Sequence, residues 1–225
     1  MSRNPTCSKV TAVTTTSAAR SARGRRSTRP SGDDREAAIL ATAERLLEDK
    51  KFADISVDDL AKGAGLSRPT FYFYFPSKDA VLLALMDPLI QQADTGFHGA
   101  MEALPVDPRR AFREGISTFF NSFGARGVVA RAGTEALATS PDVRAVWSAF
   151  MQKWINQTAA LIEAERQRGA APDTIPALDL ATSLNHMNER AMTATLVAEE
   201  GAVARDRIVG TLTHIWLTSI YGESQ

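Results

Sequence analysis

Arg68, Pro69, Thr70, Tyr72 and Phe73 fall within six residues, and Lys78 follows closely. Such side chains can touch DNA phosphates, base edges and thymine methyl groups. They can act together only if a short helix presents them on one side and is anchored on the other. Phe71 and Phe75, four residues apart, supply that anchor. Upstream, Ser56 and Asp59 have capping-box spacing, and Leu60 and Ala61 give a first short helix its apolar contacts. Gly65 suits a left-handed turn, Ser67 caps a second helix, and Pro69 sits in its first turn. Two short helices around a tight turn form a helix–turn–helix, whose second helix enters the DNA major groove. The same geometry also occurs in proteins that never meet DNA.

A second constellation lies further on. Phe112, Ile116, Phe119, Phe120 and Phe123 fall on one helical face, as do Trp147, Met151, Trp154 and Thr158. Stripes of this kind form plain core or line a pocket for an apolar small molecule, which needs a few converging polar groups. Asn185 and Asn188, three apart in an apolar stretch, could be those groups. They could equally bond to backbone or across a subunit interface, since a buried amide must be paired.

Catalysis finds no support. His98, His186 and His214 are scattered, and no carboxylate–His spacing suggests a metal site. Cys7 is the one cysteine, as expected of a reducing cytoplasm, and there is no glycine-rich phosphate loop. The expectation is of no enzyme, cofactor, metal or membrane span. The chain has 225 residues, with 26 Lys plus Arg balancing 26 Asp plus Glu. The balance hides an asymmetry. Residues 1–32 hold seven basic side chains (Arg3, Lys9, Arg20, Arg23, Arg25, Arg26, Arg29) and no acidic one, leaving 19 basic against 26 acidic groups beyond. A basic arm on an acidic body points to a localised anionic partner. The arm could enter a minor groove beside the helix–turn–helix, or be a tail with only non-specific phosphate attraction.

Helix formers abound and no strand-like alternation persists, so the fold class is all-α. Expected helices span about 33–48, 78–103 (kinked or broken at Asp87-Pro88), 108–123, 128–139, 141–169, 176–199 and 203–221, besides the helix–turn–helix. The division expected is a basic arm at 1–32, a DNA-binding domain at 33–80 and a larger helical domain at 81–225.

Leu60-Ala61, Gly65, Thr70-Phe71-Tyr72, Phe75 and Ser77-Lys78 resemble the DNA-binding signature of the TetR family of bacterial repressors. Met151-Gln152-Lys153-Trp154 and residues 184–190 resemble the C-terminal region of one member. The resemblance implies DNA contacts at Arg68, Pro69, Thr70, Tyr72, Phe73 and Lys78, and palindromic operator DNA bound as a homodimer through the last two helices. It implies a hydrophobic ligand channel lined by Phe119, Phe123, Trp147, Met151, Trp154, Thr158, Asn185, Asn188 and Trp216, to which the helical stripe itself adds Phe112 and Ile116. Phe112, Thr193 and Gly96 depart from the pattern. It further implies release from DNA by a hydrophobic small molecule and control of a neighbouring monooxygenase gene. The alternatives are a regulator indifferent to ligand and a hydrophobic-ligand-binding module without regulatory release.

Overall fold

In the computed structural model the described residues are 31–222, so the expectations for the basic arm and Cys7 lie outside them. Among the described residues every regular element is helical: α1 (Gly32–Asp49), a 3₁₀ turn (Phe52–Asp54), α2 (Val57–Gly63), α3 (Arg68–Tyr74), α4 (Lys78–Met101), α5 (Pro108–Ala125), α6 (Gly127–Thr139), α7 (Pro141–Gln167), α8 (Ala177–Leu196) and α9 (Ile208–Tyr221).

Local chemistry explains most of the boundaries. Ser56 Oγ accepts from Asp59 N at 3.1 Å, while Ser56 N donates to Asp59 Oδ2 at 3.0 Å, closing the expected box. Those Ser56 donors hold the Asp59 carboxyl below its ordinary range. Ser67, Ser77, Asp107 and Ser140 cap α3, α4, α5 and α7 through their side-chain oxygens. Gly65 takes φ +68°, the left-handed conformation the turn requires.

Two expectations are corrected. First, of the kink or break expected at Asp87-Pro88, the break does not occur: α4 is one continuous helix through Pro88. Proline removes one helical hydrogen bond, but Leu85, Met86 and Leu89 around it are all buried, and packing on both sides holds the helix together. The Leu85 carbonyl beside the gap also accepts from Arg126 Nη1 at 3.4 Å. Second, α8 stops at Leu196 and α9 begins only at Ile208. Between them Ala198 and Gly201 take positive φ, and Thr195 Oγ1 donates to the Val203 carbonyl at 2.9 Å, tying that stretch back as a loop.

One apolar core extends from Ile39 in α1 through the α4–α5 pair to Trp216 and Ile220 in α9. At Gly96 a Cβ would meet Thr118 Cγ2 at 2.1 Å, so the bare backbone lets α4 and α5 approach. At the far end Tyr221 donates to Glu165 Oε2 at 2.6 Å and Arg168 bonds the same carboxylate, joining α9 to α7. Burial would raise the Glu165 pKa, but these donors outweigh it and hold the group low.

Candidate DNA-reading helix and ligand cavity

The helix α3 has two opposed faces. Phe71 is fully buried and Phe75 nearly so, while Phe73 is 83% exposed and Tyr72 44%. Exposed apolar side chains are informative when they adjoin one another, as these two rings do, because a contiguous patch marks a surface for a partner. Beside them Arg68 is exposed; its guanidinium donates to Tyr72 Oη at 3.2 Å and reaches Asp58 Oδ1 on α2 at 3.4 Å. The Thr70 hydroxyl pairs with that of Ser67 at 2.8 Å. Pro69 is exposed at the helix start. Five of the six expected DNA residues therefore share one short helix.

Lys78 is placed differently. Its ammonium, with three donors to give, bonds the carbonyls of Phe52, Ala53 and Ile55 at 2.9, 3.1 and 3.0 Å and lies 4.7 Å from the centre of the Phe52 ring. In this conformation it fastens the 3₁₀ turn to the start of α4 and offers nothing outward. Sequence spacing gives no warning of this, because the carbonyls lie 23 to 26 residues away.

The aromatic stripes of α5 and α7 face each other. Phe119 packs on Trp154 with centroids 5.1 Å apart, and Phe123 meets Trp147 edge-on at 5.7 Å. Between them lie two cavities. The larger, about 300 Å³, is walled by Phe119, Phe123 and Trp147 together with Met86, much of one face of α6 and α8 residues that include Thr193. The smaller, about 20 Å³, holds roughly one water's worth of space and is lined by Phe112, Ile116, Phe119, Met151, Trp154, Asn185, Asn188 and Trp216. Phe119, Glu189 and Met192 border both. In place of the channel expected there is a roomy chamber (the open chamber) and one that its own side chains nearly fill (the closed chamber).

Each asparagine of the closed chamber has a partner within the protein. Asn185 Nδ2 donates to Thr158 Oγ1 at 3.1 Å and to the Ala181 carbonyl at 2.9 Å. Asn188 Oδ1 accepts from Trp216 Nε1 at 2.9 Å. Thr158 lines neither cavity; it is buried behind Asn185 as its partner. Trp154 is held from outside by Asp94 of α4, which accepts from its indole at 3.3 Å and from Lys153 at 2.8 Å. Burial opposes ionisation of Asp94, but those donors prevail and keep its carboxyl below the usual range.

Sequence reasoning missed the α6 wall of the open chamber (Ala130, Arg131, Thr134, Leu137) and Glu189, whose carboxylate accepts from Trp147 Nε1. The available signal was the small residues Ala130, Gly133 and Thr134 on one face of α6, which leave space opposite the bulky stripes. Among the described residues no group of three or more His, Cys, Asp or Glu could hold a metal ion, and no helix is long and apolar enough to cross a membrane.

A capped helix–turn–helix with an exposed aromatic and basic second helix, carried on a larger helical body, defines a DNA-binding transcriptional regulator. Residues 39–85 match the family described as bacterial regulatory proteins, tetR family, and residues 112–222 match the C-terminal domain of the transcriptional regulator EthR. The HTH-type transcriptional regulator EthR of Mycolicibacterium smegmatis is 71% identical over 210 residues, spanning 93% of this chain and 97% of the relative. Its counterpart in Mycobacterium tuberculosis is 60% identical over 215 residues, 94% of this chain and 100% of the relative. The chain belongs to the TetR family of transcriptional regulators, among its EthR-like members, and is not an enzyme. Solved structures share the fold. PfmR of Thermus thermophilus superposes with a TM-score of 0.62 at 18% identity, covering 87% of this chain and 98% of that one. NalD, described as the secondary repressor of a Pseudomonas aeruginosa multidrug efflux pump, gives 0.66 at 15%, covering 85% and 99%.

Proposed function

We propose that the chain is a cytoplasmic repressor that binds palindromic operator DNA as a homodimer and is released when a hydrophobic small molecule fills the open chamber. Residues 33–80 read DNA and residues 81–225 bind ligand and pair the subunits. The observation that carries the reading is the outward face of α3. Phe73 and Tyr72 stand exposed beside Arg68, Pro69 and Thr70, on a helix fixed from behind by buried Phe71. Arg68 and Pro69 meet base edges; Thr70 and Tyr72 meet phosphates. Lys78 serves instead to hold the turn that aims α3. The outer apolar side chains of α8 and α9, Leu178 among them at 51% exposure, pair with a second copy. That sets two recognition helices about 34–36 Å apart, or a multiple of it, for a two-fold operator.

Release requires that ligand prefer a domain arrangement in which the two α3 helices are wrongly spaced. The chamber is apolar, with Phe119, Phe123, Trp147 and Leu137 in its wall, so burial of hydrocarbon supplies the affinity. The regulated gene under this reading encodes a neighbouring monooxygenase. One observation favours the rival, a regulator indifferent to ligand: the asparagines of the closed chamber are already paired inside the protein.

The two readings separate when operator-bound protein is titrated with linear amides from octanamide to hexadecanamide. Release that strengthens with chain length supports ligand control. Retention of operator affinity across the whole series supports the rival.

A further inference from the structure

Arg131 belongs to two sites at once. It forms part of the wall of the open chamber, and its Nη2 donates to the Leu47 carbonyl at 3.1 Å. Leu47 lies in the last turn of α1, where helix carbonyls have no partner within the helix and where the helix dipole favours a cation. The helix α1 has no basic residue of its own in that turn. The cation is supplied from α6, on the other side of the chamber wall.

A second arginine grips the same helix. Arg126, just before α6, donates from Nε and Nη2 to the two carboxylate oxygens of Glu44, both at 2.7 Å. The bidentate fork holds the Glu44 carboxyl below its ordinary range. Glu44 and Leu47 are three residues apart and so lie on one face of α1. Through them α6 holds α1, the helix against which α2 packs and, through α2, α3, at two points. The two arginines differ in one respect. Arg126 is not part of the chamber lining, whereas a molecule filling the chamber must meet Arg131.

We propose that Arg131 transmits occupancy of the chamber to the DNA-reading helices. With the chamber empty it caps α1; a ligand against its stem draws the guanidinium off Leu47, and α1 turns about the Glu44–Arg126 pair. The inference rests on the reading that chamber occupancy weakens operator binding. It adds the residue through which that occurs.

The test fills the chamber covalently, so that no natural ligand is needed. Thr193 lines the chamber from α8. In a Cys7→Ser, Thr193→Cys protein it is modified with N-benzylmaleimide, and affinity is measured for a duplex selected in vitro from random DNA. Each protein is compared with its own unmodified form, so that a general loss of affinity cancels. With Arg131 present, modification weakens binding about tenfold or more, within the usual range of coupling between sites. With Arg131→Met, the factor falls below about threefold, and Arg131→Lys, which keeps a cation at the end of α1, restores part of it. An undiminished factor in Arg131→Met overturns the inference, making Arg131 a structural cap and leaving α4 to carry the signal. If modification has no effect even with Arg131 in place, ligand control itself fails, and the inference falls with it.

Discussion

Phe71 and Phe73 sit two residues apart on α3, and truncating them should cost free energy in different places. Phe71 is fully buried between α3 and the core. Phe71→Ala removes a whole ring and leaves a cavity, a loss of about 3–5 kcal/mol against a total stability of about 5–15 kcal/mol. Phe73 is 83% exposed, and among the described residues its ring meets one other ring, that of its neighbour Tyr74, edge-on at 5.2 Å. Phe73→Ala therefore changes stability by about 1 kcal/mol at most, the upper end for a surface residue with a single aromatic contact. On operator DNA the ranking reverses in kind. Burying this exposed ring against thymine methyls in the major groove is worth about 1.5–3 kcal/mol, so Phe73→Ala should weaken operator affinity about 10- to 150-fold in a protein that remains folded. Urea unfolding followed by circular dichroism gives the first quantity and operator anisotropy the second. A stability loss above about 2 kcal/mol for Phe73→Ala, or unchanged operator affinity, would refute the two-faced account of α3.

Three further outcomes are expected. Gly65→Ala has open space around its new methyl group but keeps φ near +68°, so backbone strain alone should lower stability by about 1–2 kcal/mol; a neutral substitution in urea unfolding would show that the turn can relax. Glu44 is held by Arg126 below its ordinary value of 4.5, so its contribution is present above that value and drains away as pH falls through the lower folded value. Unfolding measured from about pH 5 to about pH 3 should show a shallower loss in Glu44→Gln than in the parent chain, and an identical slope would mean that the pair contributes nothing. Asn185→Ala strips the Thr158 hydroxyl of a buried partner and should cost about 1–3 kcal/mol in calorimetry, whereas a gain in stability would mean that the amide was strained.

The helix–turn–helix was legible because its signals are local. Ser56 with Asp59, Gly65, Ser67 with Pro69, and Ser77 each act within four residues, and each took its expected place. The stripes on α5 and α7 were legible for a similar reason, since a 3.6-residue period marks a buried face regardless of what covers it. What could not be read depends on distant partners. Glu44 and Arg126 are 82 residues apart and Arg131 and Leu47 are 84 apart, so no spacing rule connects them. The inward turn of Lys78 is of the same kind. At Pro88 a local rule was outweighed by tertiary packing. The Asn185–Thr158 and Asn188–Trp216 pairs show why two asparagines on an apolar face announce a polar site without saying whether a ligand or the protein satisfies it.

The measurement that bears most directly on the central claim is fluorescence anisotropy of a labelled duplex, selected in vitro from random DNA, against a scrambled duplex of equal length at two salt concentrations. Tight, sequence-selective binding whose affinity falls as salt rises is the expected result, because phosphate contacts release counterions while base contacts through α3 supply the selectivity. Binding with no preference over scrambled DNA at either salt would contradict the assignment of α3 as the reading helix.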